Sequence, residues 1–228
     1  TQPTFANYAE VLANPNVSFL RLFFNTALIS TLATLGTAVS ASLVAYAFAK
    51  VNFTGRDRVF MIVLSTMMLP AIVTMIPTYI LFKELRWINT LLPLTVPAYF
   101  GGGAFNIFLL RQFFLGIPRE LDEAAKIEGA GHWTIYSRVI LPLSGSALAT
   151  VSVFCFIYHW RDFMGPLIYL NDPQTQTLEI GLATYNSLRA EQWHLLMAGS
   201  IMVTIPLIVI FLLGQRYFVR GIAMTGLK

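Results

Sequence analysis

Long apolar runs separated by short polar bursts organise this chain. No Asp, Glu, Lys or Arg falls among the 28 residues between Arg21 and Lys50, the 24 between Arg58 and Lys83, or the 24 between Arg86 and Arg111. The same holds for the 22 residues between Arg138 and Arg161 and the 24 between Glu191 and Arg216. A helix rises about 1.5 Å per residue and the bilayer hydrocarbon is about 30 Å thick, so each run holds one spanning helix of about 20 residues. The pattern predicts five spans, at about 22–49, 59–82, 87–110, 142–161 and 195–215. Residues 1–20 read as a polar outer segment with a turn at Asn14-Pro15-Asn16.

Span one is rich in small and hydroxyl residues (Ser30, Thr31, Thr34, Gly36, Thr37, Ser40, Ser42), which let helices approach closely in lipid; it is expected to pack against protein on more than one side. Span two carries Pro70 and Pro77, which remove backbone donors and kink a helix, so it is expected to border a cavity as well as lipid. Span three holds Pro93, Pro97 and Gly101-Gly102-Gly103, a predicted break or close crossing. Composition agrees: 56% hydrophobic residues, 11% charged residues and a mean hydropathy of +0.66 exclude a water-soluble core. The fold class is therefore an all-α membrane protein, read as a single transmembrane domain over 1–228.

Basic residues orient it. One set of alternating loops holds ten of them (Lys50, Arg56, Arg58, Arg111, Arg119, Lys126, Arg138, Arg216, Arg220, Lys228) and the other holds five, which places 50–58, 111–138 and the tail after 216 in the cytoplasm. The net charge of +4 is then the ordinary excess of a membrane protein and calls for no nucleic acid. Cys155, the single cysteine, lies in an apolar run and reads as packing.

Between spans three and four lies a polar insertion, about 112–141. Pro118 suits a first helical position, Arg119–Glu128 are good helix formers apart from Asp122, and Gly129 and Gly131 stop the helix. At 100° per residue, Ile117, Leu121, Ala124, Ala125 and Ile127 share one arc, and Arg119, Asp122, Glu123 and Lys126 the other. The helix is expected to lie at the membrane face, with small Ala124 and Ala125 allowing close approach by another surface. A second helical stretch, His132–Ile140, follows the glycine elbow, and Pro142 opens the next span.

The order Glu123-Ala124-Ala125, two residues, Glu128-Gly129-Ala130, eight residues, Val139-Ile140-Leu141-Pro142 resembles the cytoplasmic signature of permease subunits of binding-protein-dependent ABC importers. Glu128 stands where aspartate is usual, and Val139 where isoleucine is. Ile88-Asn89-Thr90, Ile117-Pro118-Arg119-Glu120-Leu121, Trp160-Arg161-Asp162-Phe163 and Gln215-Arg216-Tyr217-Phe218 extend the likeness to the sugar-importer branch, its maltose-type and glycerol-phosphate-type second permeases. The resemblance implies a six-span subunit of a bacterial or archaeal plasma membrane, its first span lying upstream of Thr1. It implies four partners beside lipid: a homologous second permease, two cytoplasmic ATPase subunits and an extracytoplasmic substrate-binding protein. Carried over, Glu123, Ala124, Ala125, Glu128, Gly129 and Ala130 belong to a coupling helix seated on the ATPase: Glu123 pairs with a basic residue there, Ala124 and Ala125 allow the fit, and Gly129 makes the elbow. The plain alternative is that Glu123 pairs with Arg119 or Lys126 one turn away, worth about 0.2–0.5 kcal/mol.

ATP and Mg are expected on the partner ATPases, since the chain has no Gly-x-x-x-x-Gly-Lys-Ser/Thr segment. It carries no cofactor of its own on this reading, and His132, His159 and His194 lack the spacing of metal ligands. Nor is it an enzyme: the expected work is carbohydrate transport by alternating access. Polar residues within the spans, Asn25, Thr74, Thr78, Tyr99, Asn106, Tyr158 and Trp160, are candidates for the substrate path, each with interhelical hydrogen bonding as its plainer role. Asp172–Gln192 reads as an outer loop for the binding protein, and the basic tail Arg220–Lys228 as an ATPase contact or a membrane-surface anchor. The rival function, an ion-gradient transporter or channel, predicts paired ionisable residues at mid-membrane, which the span interiors lack.

Overall fold

The computed structural model describes residues 5–13, 18–188 and 193–225, and among these the regular elements are helices without strands. In order they are α1 (Ala6–Ala13), α2 (Phe19–Lys50), α3 (Arg56–Ser65) with a 3-10 turn at Thr66–Met68, and α4 (Ala71–Glu84). There follow α5 (Leu92–Thr95) with a 3-10 turn at Val96–Tyr99, α6 (Ala104–Leu115), α7 (Arg119–Ile127), and α8 (His132–Ile135), which runs through a π-turn at Tyr136–Ile140 into α9 (Leu141–Leu143). Last come α10 (Gly145–Trp160), α11 (Met164–Tyr169), α12 (Leu178–Leu188) and α13 (Trp193–Thr225).

Three stretches, Phe19–Lys50, Leu92–Leu115 and Trp193–Gln215, are long and apolar enough to cross a bilayer, and two bent pairs bring the number to five. Arg56–Met68 meets Ala71–Glu84 at 98°, where Pro70 sits in extended backbone ahead of α4. His132–Leu143 meets Gly145–Trp160 at 78°. Span four is thus broken near its predicted start: Pro142 lies inside α9, and the chain turns at Ser144, whose hydroxyl donates back to the Ile140 carbonyl at 2.7 Å.

α2 is the central post. Thr26, Ser30, Ala33, Thr37, Ala41 and Ala45 are buried, whereas Leu20, Phe24, Leu28, Leu35, Val39 and Leu43 are exposed. Along the middle of the helix small and hydroxyl residues point inward and most large aliphatics outward, because lipid offers no hydrophobic reward for hiding leucine and close backbone approach supplies the attraction instead; Leu22 and Ile29 are buried exceptions. α2 packs against α10, α6, α5 and α12. Ser40 Oγ fixes one crossing by donating to Ala98 O at 2.9 Å. The glycine run fixes another: Gly102, at φ +60°, lies so close that a Cβ there would stand 2.9 Å from Thr37 Cα.

Two segments differ from their sequence reading. Part of the polar leader is α1, whose Val11 is fully buried in an outer cluster with Phe19, Leu22, Trp160, Leu178 and Leu195. The stretch read as a loop over 172–192 contains α12, held by the same cluster through Leu178. Eight- and eleven-residue helices are too short to declare themselves by periodicity when packing against α13 stabilises them. The turn read at Asn14–Asn16 and the final residues 226–228 lie outside the described residues.

Candidate functional site

α7 starts and stops for local reasons. Pro118 occupies the cap position in extended backbone (φ −54°, ψ 136°), one place earlier than predicted, and Glu120 and Asp122 follow in the first turn, where the helix dipole favours acids. At the other end Ala130 N–H donates to Ala125 O and Gly129 N–H to Lys126 O, both at 2.9 Å, with Gly129 left-handed at φ +83°. This is the two-bond glycine stop in which the residue past the helix end supplies the left-handed turn.

The inner side of the helix draws on both arcs: Asp122 from the polar one, and Ala125, with Ile117 just ahead of the helix, from the apolar one. Leu121, Ala124 and Ile127 are exposed, Ile127 at 87%, and Trp133 beyond the elbow is 69% exposed. The buried residue of α7 is Asp122, whose Oδ2 lies 2.8 Å from Lys50 Nζ, the two side chains 10% and 4% exposed. Lys50 also donates to Ile117 O at 2.9 Å. The two arcs do not divide inside from outside; a buried cation on another helix draws Asp122 inward beside Ala125 and Ile117, and leaves Leu121, Ala124 and Ile127 exposed with Arg119, Glu123 and Lys126. Leaving Lys50 unpaired would cost about 3–5 kcal/mol, more than exposing one leucine at about 1.5–3 kcal/mol.

Further contacts join the insertion to α2. Tyr136 OH and Ser42 Oγ are 2.7 Å apart in the buried interior, and Tyr46 OH lies 3.4 Å from His132 Nδ1. Nearby, Arg111 donates to Phe48 O at 3.3 Å, sits 4.1 Å above the Phe60 ring and approaches Asp57 at 3.8 Å. Glu123 and Glu128 are exposed, and among the described residues Glu123 forms no ion pair with Arg119 or Lys126.

A cavity of about 640 Å³ opens between α2, α4, α5, α6, α10 and α11. Thr37, Thr78, Asn106, Tyr158, His159 and Asp162 supply polar groups, and Phe82, Phe105, Phe154 and Tyr169 supply aromatic faces. The break in span three shapes it: Pro93, Pro97, Gly102 and Gly103 all line its wall.

Residues 36–224 match the family model described as the inner membrane component of binding-protein-dependent transport systems. The chain belongs to that family. Its relatives include the arabinooligosaccharides transport system permease protein AraQ of Halalkalibacterium halodurans, 34% identical over 90% of this chain and 73% of that protein. The trehalose/maltose transport system permease protein MalG of Thermococcus litoralis is 34% identical over 99% and 81% of the two chains. The sn-glycerol-3-phosphate transport system permease protein UgpE of Rhizobium meliloti is 36% identical over 96% and 79%. Among solved structures, a chain of a bacterial ABC transporter involved in the import of the acidic polysaccharide alginate superposes with a TM-score of 0.82 at 25% identity, over 96% of this chain and 81% of that one.

In this inner-membrane component the seven polar span residues part company. Thr78, Asn106 and Tyr158 meet at the cavity. Asn25 instead donates to Gln174 O at 3.0 Å and Gln176 O at 2.9 Å, and neighbouring Thr26 Oγ1 accepts from Leu178 N at 2.9 Å, tying the outer segment to α2. Tyr99 lies over Gly36, where a Cβ would meet its ring at 2.6 Å, and Thr74 donates to Ala71 O within its own helix. Trp160 is buried, donates to Val203 O at 3.1 Å and packs on Phe156 and Phe23. Beside it on the outer face, burial raises the Glu179 carboxyl above its ordinary range, and Arg161 opposes the shift.

Trp160→Phe is expected to lower the unfolding free energy by about 1 kcal/mol, the scale of an interhelical hydrogen bond in a membrane, without altering apparent solute affinity. Thermal unfolding in nanodiscs beside an uptake titration checks this; a raised apparent KM at unchanged stability would place Trp160 on the path instead. The sequence reading missed Thr37, His159, Asp162 and Tyr169 as cavity residues. Thr37 resembles every other small residue of α2, and the others lie at or beyond the end of span four, where interfacial anchoring has the same appearance.

Proposed function

We propose that this chain is the permease subunit of an ATP-driven importer and that its solute is a carbohydrate. The observation that carries the reading is the outward display of Leu121, Ala124 and Ile127 on α7, the last two within the family's signature and all three on the side that the basic residues assign to the cytoplasm. An exposed apolar strip flanked by Glu123 and Glu128 is a protein-docking surface. Its occupant on this reading is an ATPase subunit, one of two, with ATP and Mg bound there. The coupling loop, 112–141, passes the closure of the ATPases to the spans, which alternate access with a homologous second permease, and a substrate-binding protein delivers solute outside.

The carbohydrate assignment draws on two supports. AraQ and MalG are named for arabinooligosaccharides and for trehalose and maltose. The cavity sets amide and hydroxyl groups of Asn106, Thr37, Thr78 and Tyr158 beside the faces of Phe82 and Tyr169, a surface suited to a molecule with a polar rim and apolar ring faces. Proteoliposomes holding this subunit with its second permease, ATPases and binding protein are expected to accumulate one member of a panel of arabinooligosaccharides, disaccharides, polyols and glycerol phosphate only when ATP is supplied. Uptake by this subunit alone, driven by an ion gradient, would overturn the reading.

A further inference from the structure

Ser42, Tyr46 and Lys50 stand at i, i+4 and i+8 of α2, which places them on one face of that helix over about 12 Å. Each reaches a different part of the insertion: Ser42 the hydroxyl of Tyr136, Tyr46 the imidazole of His132, and Lys50 the carboxylate of Asp122. Lys50 also holds the carbonyl of Ile117, where α6 passes into α7. The covalent connections of the insertion are less direct. On one side the chain turns at Gly116 and extends through Pro118; on the other it bends by 78° at Ser144 before α10 begins.

From this we infer that the Ser42–Tyr46–Lys50 stripe is the joint through which the insertion moves the transmembrane body, with Lys50 and Asp122 as its positioning residues. The inference rests on the permease reading given above and adds which helix takes the load. α2 runs from Phe19 to Lys50 as one helix, and Thr37, thirteen residues above Lys50 or about 20 Å along the axis, forms part of the cavity wall. Displacing α7 therefore displaces a cavity-lining residue through a single helix with no intervening hinge.

A buried ion pair is the right fastener for such a joint. Its attraction depends on geometry, and breaking one side strands a buried charge, so the pair holds one register and resists slippage. Asp122 Oδ2 takes the lysine while Oδ1 is buried with no hydrogen-bond partner, so the Lys50 contact is the one that satisfies this carboxylate. Apolar packing alone would let α7 slide along α2.

The test uses the complete importer in proteoliposomes, measuring solute accumulated and ATP hydrolysed in the same vesicles. Lys50→Met and Asp122→Asn are each expected to lower solute moved per ATP at least tenfold, with hydrolysis within twofold of the unaltered complex. Lys50→Arg, which keeps the charge and its donors, retains most of the ratio. The exchange Lys50→Asp with Asp122→Lys recovers at least a third of it, which a generally disruptive pair of changes does not do. Amide exchange over 119–127 in the same complexes rises at least tenfold in the single variants and returns toward normal in the exchange.

Unchanged solute per ATP in the single variants overturns the inference. So does loss of assembled complex that the exchange fails to repair, since that outcome assigns the pair to folding alone. If the unaltered complex shows no ATP-driven uptake, the permease reading falls, and the inference falls with it.

Discussion

Gly102→Ala will unfold this subunit far more readily than Gly55→Ala, although both glycines have positive φ. Gly102 lies at φ +60° and Gly55 at φ +83°, so each substitution places a Cβ in left-handed backbone at about 1–2 kcal/mol. They differ in their surroundings. Nothing lies within 4 Å of a Cβ at Gly55, whereas at Gly102 it would stand 2.6 Å from Thr37 Cγ2, 2.9 Å from Thr37 Cα and 3.0 Å from Thr37 Cβ. Rotating the threonine side chain cannot relieve a clash with its backbone, so α2 itself must move. Overpacking of this kind costs about 1–3 kcal/mol, giving about 2–5 kcal/mol at Gly102 against about 1–2 kcal/mol at Gly55. Gly36 is a useful intermediate, because a Cβ there would meet the ring of Tyr99, a half-exposed side chain free to swing aside. Thermal unfolding of the three alanine variants in nanodiscs should rank Gly102 as most destabilising. Equal shifts at Gly102 and Gly55 would show that the crossing of α2 with the glycine turn carries no packing energy. Thr37 and Gly102 both line the cavity, so a variant that survives should also show altered uptake.

The spans were legible because charge-free length is a direct consequence of bilayer thickness; α2 and α13 follow the runs read for spans one and five. Bends were legible only in part. Pro70 marks the break in span two but not its 98°, and nothing in the residues around Ser144 announces 78°. The faces of α7 illustrate the limit. Periodicity separated Leu121, Ala124 and Ile127 from Asp122 and Glu123, yet turning the set outward required knowing that Lys50, seventy-two positions before Asp122, would be buried beside it. Asn25, Trp160 and Asn106 are alike in sequence, polar groups within apolar runs. Asn25 and Trp160 spend their donors on other elements, at Gln174, Gln176 and Val203, whereas Asn106 donates locally to Gly102 O and stands at the cavity, and such pairing is a tertiary fact.

Glu123→Lys should abolish ATP-driven uptake while leaving the subunit inserted and stable. The two effects have different magnitudes because Glu123 is exposed and forms no ion pair among the described residues. A surface change of that kind alters folding by about 0.5 kcal/mol or less. On the proposed ATPase contact the same side chain would be desolvated against a basic partner, and losing one member of such a pair costs about 2–5 kcal/mol. With about 1.4 kcal/mol per tenfold, that is a weakening of ATPase retention by about 30-fold to several thousand-fold. Gly129→Val acts on the same surface by another route. A Cβ there meets nothing within 4 Å, so the cost is the left-handed backbone alone, about 1–2 kcal/mol, and it opens the two hydrogen bonds that end α7. Gly129→Asn, a residue that tolerates this conformation, should therefore keep most of the uptake that Gly129→Val loses. Co-purification of tagged subunit with ATPase, measured beside uptake and thermal unfolding, separates the effects. Normal ATPase retention in Glu123→Lys would mean that the exposed strip of α7 docks something else.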